Sequence, residues 1–227
     1  MNIKILFYDD NEIIDIYGVN KCLEILNKNK FNTHKLNITD IDKLNNENTD
    51  ILIIPGGEPK QIRYLLKGHG SNIIRKFISN GGGYIGICAG AVLAVPKSPS
   101  LDLLINIKMV NDNIWWNSGI CGDVELKSCK NINNKFNNII DIIDKTKIFK
   151  YLNGPLFKIK NKSNLISLAK FNSTIHKSNI NNNMNNEIIN SMSIVYGKYN
   201  KGSVLISSIH PEYKDDILIE MCLIVKN

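Results

Sequence analysis

The sequence has 227 residues, of which 43% are hydrophobic and 22% are charged, a composition typical of a water-soluble globular protein. This length fits one large α/β domain, or one domain with an insertion. No apolar run approaches the ~18 residues of a membrane span, and the N-terminus lacks the long apolar segment of a secretory signal peptide. We therefore expect a cytoplasmic protein with no membrane partner.

The formal net charge of +7 could suggest a nucleic-acid partner. Of the 28 basic residues, however, only Arg63 and Arg75 are arginine, and recognition of base edges depends mainly on the planar guanidinium group. The lysines are scattered, and asparagine accounts for 34 residues. The charge therefore reflects a Lys- and Asn-rich composition, and no nucleic-acid partner is expected.

In the first half of the chain, predicted strands and helices alternate. Short apolar runs predict strands at residues 3–8, 31–36, 50–55 and 84–87. Helices are predicted at residues 15–29, 71–79 and 89–95, the second of them capped by Ser71. The alternation indicates an α/β fold with a mostly parallel sheet and helices on both faces.

The second half is less regular. Predicted strands at residues 165–171, 191–199 and 203–209 precede a helix at 215–225, with a hairpin turn at 199–202. Residues 115–122 are expected to form a loop in which Trp115 and Trp116 are packing anchors. Asn-rich composition predicts a surface insertion near residues 178–190 and a smaller one at 131–138, within a single domain spanning residues 1–227.

The most distinctive segment is GGGYIGICAGA, at residues 81–91. Gly86 and Gly90 stand two residues before and after Cys88, a spacing typical of the nucleophile elbow, a strained turn between a strand and a helix. Glycine is needed there because side chains would collide with the neighbouring strand and helix. The following helix would favour a thiolate at Cys88. A buried structural cysteine in a Gly-rich turn is the alternative.

A histidine follows the last predicted strand, in the segment His210-Pro211-Glu212. Ligand sites in open α/β sheets gather at the C-terminal ends of strands, so His210 could lie beside Cys88. Glu212 could then accept a hydrogen bond from the other ring nitrogen of His210. Alone, this segment is more typical of a packed histidine and a solvated glutamate. Together with the elbow, it predicts nucleophilic catalysis by a Cys–His–Glu triad.

Attack by cysteine on an acyl carbon requires N–H donors fixed around the developing oxyanion. The amide of Ala89, which follows Cys88, is one candidate. Gly57, in the segment Pro55-Gly56-Gly57-Glu58 after a neighbouring strand, is our choice for the second. An ordinary Gly-Gly turn is the alternative.

The other cysteines and histidines show no site pattern. The five cysteines have no CxxC pair, Cys121 and Cys129 lack histidine partners for zinc, and disulfides are not expected in the cytosol. Cys22 and Cys222 fall on predicted helices and are expected in the core. Three further histidines are expected at the surface or in loops: His34, His69 and His176. With no nucleotide or metal motif, neither cofactor nor metal is expected.

These motifs, in this order, resemble the class I glutamine amidotransferase superfamily, which has a flavodoxin-like fold and a Cys–His–Glu triad. The resemblance is closest to the N-terminal domain family of biotin-protein ligases, and it rests on residues 55–57, 68–90, 151–155 and 210–212. It implies that Cys88 is the nucleophile, that His210 is the general base and acid, and that Glu212 orients His210.

The resemblance also implies a substrate pocket around the triad. Gly57 and Ala89 would form the oxyanion hole, and four other residues would contact the substrate: Gly56, Glu58, Asn153 and Gly154. The substrate would be a small carboxamide such as glutamine. A chain of 227 residues leaves no room for a ligase domain, so any enzyme that accepts the ammonia would be a separate polypeptide.

One position departs from the family pattern. Val92 stands where many glutaminases carry a glutamine that holds the substrate, and where the ligase-type domain has an aromatic residue. Two functions therefore remain open: an amide hydrolase or amidotransferase-like enzyme, and a regulatory domain that binds a small molecule without turnover. A third relationship, to the intracellular-protease and chaperone-like branch, would use an acid after the first strand (Asp9, Asp10 or Glu12), but the His-Pro-Glu segment favours the triad branch.

Overall fold

The computed structural model describes residues 3–10, 13–96, 100–110, 119–130, 133–160, 164–175 and 187–226. The strands are β1 (Lys4–Tyr8), β2 (Asn32–Leu36), β3 (Ile51–Ile54), β4 (Gly83–Ile87), β5 (Ile107–Met109), β6 (Cys121–Ser128), β7 (Ile148–Leu152), β8 (Phe157–Ile159), β9 (Ile166–Phe171), β10 (Met192–Tyr199) and β11 (Gly202–Ser207). The helices are α1 (Ile16–Lys28), α2 (Pro59–Leu66), α3 (His69–Ser79), α4 (Ala89–Ala94), α5 (Asn137–Thr146) and α6 (Asp215–Lys226).

These strands form one mixed sheet in the order β2-β1-β3-β4-β11-β10-β9-β6-β7, with β8 pairing with β10 and β5. The five strands from β2 to β11 run parallel, and the rest of the sheet is antiparallel. Helices flank this sheet. The α/β fold class is thereby confirmed, and the antiparallel half extends the sheet beyond what the sequence predicted.

Two registers bring the predicted site segments to one edge of the sheet. Ile54 at the end of β3 lies beside Gly86, and Ser207 at the end of β11 lies beside Ile87. The chain therefore leaves β3, β4 and β11 at adjacent points. All residues of these three strands are buried, which gives this edge a rigid base.

In the first half, most element bounds agree with prediction to within two residues. Ser71, however, is not a helix cap: α3 begins at His69 after Gly68, and Ser71 Oγ donates to Leu66 O at 2.7 Å. Helix α2 was not predicted. It starts where Glu58 accepts a hydrogen bond from the Lys60 N–H and Pro59 takes the first helical position, which suits proline because its missing N–H has no partner there.

Two segments of the second half are more regular than the sequence predicted. At residues 133–138, the Asn133 side chain caps a 3₁₀ turn that leads into α5, so the Asn-rich composition there marks a helix start. Residues 121–122 begin β6 and are not loop. Trp115 and Trp116 lie outside the described residues. So does most of the predicted 178–190 insertion, of which residues 187–190 are described and Ile188 is buried.

Among the described residues, no helix has the length and apolar character needed to cross a bilayer.

Candidate active site

Cys88 occupies a strained turn between β4 and α4. Its backbone has φ 49° and ψ −102°, a conformation that residues other than glycine rarely adopt. The Cys88 N–H donates to Ser207 O at 2.9 Å. A Cβ on Gly90 would lie 2.0 Å from Ile54 O, and a Cβ on Gly86 would lie 2.5 Å from Gly90 O. Both glycines are therefore required by backbone contact, as an elbow demands.

His210 and Glu212 form a buried pair after β11. His210 Nδ1 donates to Glu212 Oε1 at 2.6 Å, and the two side chains are each 3% exposed. The His210 N–H donates to Lys150 O at 3.0 Å, which anchors the turn to β7. The other carboxylate oxygen, Glu212 Oε2, has no hydrogen-bond partner among the described residues. A hydrogen bond this short to a buried carboxylate is typical of a charge-assisted contact, and it holds the ring in one orientation.

Cys88 and Glu212 together alter the ionisation of His210. Burial lowers the pKa of His210, but the nearby sulfur of Cys88 and the hydrogen bond and charge of Glu212 outweigh burial and raise this pKa to about 10. In this conformation Cys88 Sγ donates to Leu152 O at 3.7 Å, and His210 Nε2 has no partner of hydrogen-bond geometry among the described residues. The thiol is thus close enough to act on the ring electrostatically, while its proton points to a backbone carbonyl.

A cavity of about 490 Å³ opens beside Cys88. It is lined by Asp15, Gly56, Gly57, Glu58, Pro59, Lys60, Arg63, Cys88, Val92, Met109, Leu152, Asn153 and His210. Six of the nine residues predicted for the site are in this set. Ala89 and Glu212 are buried behind the wall. Gly154 instead packs against the chain after β11, where a Cβ would lie 2.1 Å from Ser208 O.

The Gly56-Gly57 turn is held in place by the segment that precedes α1. Asp15 N–H donates to Gly56 O at 3.0 Å, and Glu58 N–H donates to Ile13 O at 2.9 Å. Gly57 lies between these two bonds with φ +146°, and a Cβ there would be 2.3 Å from Ile13 O. Within the described chain, the Gly57 and Ala89 N–H groups have no backbone acceptor. Both donors therefore remain free to bind a ligand.

The sequence reasoning missed Asp15 and Arg63. Asp15 caps α1, with Oδ1 accepting from the Gly18 N–H at 3.1 Å, and its carboxylate lies within 4.8 Å of the ligating atoms of His210 and Glu212. These three side chains have the spacing of metal ligands, although His210 Nδ1 is already bonded to Glu212. In the sequence Asp15 is only the first residue of a predicted helix, and that position does not reveal the cavity.

Cys121 is the first residue of β6. Its residue surface is exposed, but partial desolvation of the thiol raises the thiol pKa, an effect that His210 opposes and Cys88 reinforces. It is therefore a second thiol close to the site. All five cysteines are free, as expected, and Cys22 and Cys222 are buried on α1 and α6.

The two described acids after β1, Asp9 and Asp10, do not line the cavity. Asp9 forms an ion pair with Lys35 at 2.7 Å, and Glu12 lies outside the described residues. His69 is exposed and bonded to Asp42 at 2.7 Å, His34 is exposed on β2, and His176 lies outside the described residues.

The first part of the chain matches a known protein family. Residues 3–97 match the family model for the biotin-protein ligase N-terminal domain. The resemblance seen in the sequence is confirmed. A 45-residue stretch is also 44% identical to an uncharacterized protein of Chlamydia muridarum, and it covers 20% of this chain and 17% of that protein.

Solved structures show that the whole chain has a glutamine amidotransferase-like fold. A glutamine amidotransferase from Thermotoga maritima aligns over 100% of both chains with a TM-score of 0.60 and 11% identity. A cytoplasmic protein from Salmonella typhimurium aligns over 98% of both chains, with a TM-score of 0.61 and 12% identity. A β-galactosidase from Bacillus circulans sp. alkalophilus matches 98% of this chain, which spans 31% of that enzyme, with a TM-score of 0.57 and 9% identity.

Proposed function

We propose that the protein is a cysteine-dependent amide hydrolase of the glutamine amidotransferase type. The observation that carries this proposal is the strained Cys88 on its elbow, beside the buried His210–Glu212 pair and open to a cavity of about 490 Å³. Strain at a nucleophile and a histidine with a fixed orientation are typical of catalytic sites. The match to an amidotransferase-like fold supports the same chemistry.

In the proposed reaction, the Cys88 thiolate attacks the carbonyl carbon of a carboxamide. The oxyanion that forms accepts hydrogen bonds from the Gly57 and Ala89 N–H groups. Protonated His210 gives its Nε2 proton to the leaving nitrogen, so that the C–N bond breaks, ammonia departs and a thioester remains on Cys88. Water then attacks the thioester, and His210 takes the proton from that water. The carboxylic acid is released and the thiolate returns.

Glu212 serves this reaction through His210. Its hydrogen bond to Nδ1 leaves Nε2 as the nitrogen available for proton transfer, and its charge stabilises the imidazolium. Because Glu212 is buried behind the cavity wall, it would touch no substrate. It is a positioning residue.

The test is release of ammonia from a panel of small carboxamides that includes glutamine, assayed with Cys88→Ala, His210→Ala and the matched control Cys121→Ala. We expect Cys88→Ala to abolish release and His210→Ala to slow it by about 10²–10⁴-fold. The control removes the other nearby thiol and should retain turnover. Undiminished ammonia release by Cys88→Ala would refute the proposal.

A second candidate function is binding without turnover. It is favoured by the thiol proton of Cys88, which is bonded to Leu152 O and not to His210, and by the apolar Val92 in the cavity wall. A carboxamide that binds the wild-type protein yet yields no ammonia, with affinity unchanged in His210→Ala, would support this candidate. For either function we propose a cytoplasmic location, as named for the Salmonella protein of similar fold.

A further inference from the structure

A buried arginine lines the wall of the cavity, and its guanidinium makes one hydrogen bond to the described part of the chain. Arg63 on α2 is 9% exposed and lines the cavity. Its Nη2 donates to Val92 O at 3.3 Å, and its Nε has no partner among the described residues. No described carboxylate lies within ion-pair distance. A guanidinium has five N–H donors, and a buried charge without an acceptor is costly.

The other charged groups of the cavity do not neutralise Arg63. The carboxylates of Asp15 and Glu58 each accept a backbone N–H as a helix cap, from Gly18 at 3.1 Å and from Lys60 at 3.2 Å. Burial lowers the pKa of Arg63, and this effect is only partly offset by the charge of Asp102. An anion from outside the chain would supply the missing partner.

Arg63 also occupies an informative position relative to Cys88. Val92, whose carbonyl holds the guanidinium, is the residue four positions after the nucleophile, and its own side chain offers no polar group. The guanidinium therefore brings donors to a wall that Val92 leaves apolar. A purely structural role for Arg63, in which it holds the end of α4 through the Val92 carbonyl, would use one N–H group. That role would not explain why a cationic side chain lies in the wall of a ligand cavity.

We propose that Arg63 binds a carboxylate of the ligand, so that the site selects small molecules that carry a carboxylate away from the group presented to Cys88. The pairing suits the planar guanidinium, which can donate two parallel hydrogen bonds to a carboxylate. This inference rests on the proposed function only for the identity of the reacting group, since the carboxylate would bind whether or not Cys88 reacts.

Calorimetric titration tests directly whether the site prefers ligands that carry a carboxylate. The probes are succinate and glutarate, each compared with its neutral diamide, succinamide or glutaramide, which has nearly the same size. For the wild-type protein we expect one of the two dicarboxylates to bind at least about tenfold more tightly than its diamide. Arg63→Gln should abolish the preference. Arg63→Lys keeps the charge but loses the planar pair of donors, and should weaken binding of the dicarboxylate.

Arg75→Gln is the matched control, because Arg75 also donates to a backbone carbonyl, Ser100 O at 3.2 Å, but does not line the cavity. It should keep the preference. Equal binding of acid and diamide by the wild-type protein, or a preference that persists in Arg63→Gln, would overturn the inference. If circular dichroism shows that Arg63→Gln is unfolded, the test uses Arg63→Lys instead. Unchanged binding of the dicarboxylate by Arg63→Lys would then refute the inference.

The same titrations in Cys88→Ala separate the two proposals. A carboxylate preference in that variant, together with no ammonia release by the wild-type protein, would leave the Arg63 inference standing and the hydrolase proposal refuted. Ammonia release without any carboxylate preference would support the hydrolase proposal and refute the Arg63 inference.

Discussion

Replacing Gly90 by alanine tests whether backbone contact builds the elbow. The new Cβ would lie 2.0 Å from Ile54 O, 2.8 Å from Ile54 C and 3.0 Å from Ile54 Cβ. Cβ contacts shorter than 3.0 Å essentially do not occur, so α4 and β3 must separate by about 1 Å. Two of the three atoms are backbone of a strand paired on both sides, with β1 and β4, and cannot move alone.

Overpacking of a core usually lowers the free energy of unfolding by about 1–3 kcal/mol. We expect a loss near the upper end of this range for Gly90→Ala, because the backbone that its Cβ would contact cannot move alone. At about 2–4 °C per kcal/mol for a chain of this size, we expect Gly90→Ala to lower the melting temperature by about 6–12 °C. Movement of α4 would also displace Cys88, which immediately precedes it, and so slow its alkylation by iodoacetamide.

Gly70→Ala is the matched control for thermal unfolding. The closest contacts of a Cβ on Gly70 would be the flexible ends of Leu66 and Ile38, at 3.1 and 3.2 Å, which can shift by a few tenths of an ångström, and its next contact is an ordinary one of 3.7 Å. We expect its stability to stay within about 1 kcal/mol of the wild type. If the two variants melt at the same temperature and Cys88 reacts equally fast in both, the account of the elbow is wrong.

Three further predictions concern the same site. With its pKa raised to about 10 from 6.5, the His210 ring should show no NMR titration midpoint between pH 6 and 8. The stability that its charge contributes is complete below about pH 6.5 and is lost as pH rises towards 10, so the melting-temperature gap between the wild type and His210→Gln should narrow over that window. Glu212→Gln removes one charge that raises this pKa, and the midpoint should fall towards 6.5; an unmoved midpoint would exclude the ion pair. Tyr84→Phe removes the buried hydrogen bond to Gly90 O, of length 2.7 Å, and should cost about 1 kcal/mol in chemical denaturation; no loss would mean that this bond does not support the elbow.

The parallel core and its site edge could be predicted because the evidence for them is local. Short apolar runs mark β3, β4 and β11, glycines flank Cys88, and His210 directly follows a strand. Once parallel pairing is assumed, these features converge at one edge. The antiparallel half depends on pairings between distant segments, such as β6 with β7 and β9, and apolar periodicity carries no information about partners.

Arg63 and Asp15 could not be predicted as site residues for a similar reason. A cap such as Asp15 looks the same in a sequence whether it faces solvent or a cavity. Helix α2 was not predicted, although proline at residue 59 is favoured at a first helical position. Without α2, nothing in the sequence indicates that Arg63 turns towards the cavity.

The most direct test of the central claim, that Cys88, His210 and Glu212 act as one unit, needs no substrate. The rate of alkylation at Cys88 by iodoacetamide is measured at pH 7 by peptide mass spectrometry, which separates Cys88 from Cys121, in the wild type, His210→Gln, Glu212→Gln and the double variant. Each single variant should react more slowly, by about tenfold for His210→Gln, because the charged ring stabilises the thiolate. The double variant should be no slower than His210→Gln, since Glu212 acts through that ring. Equal rates in all four proteins would contradict the account.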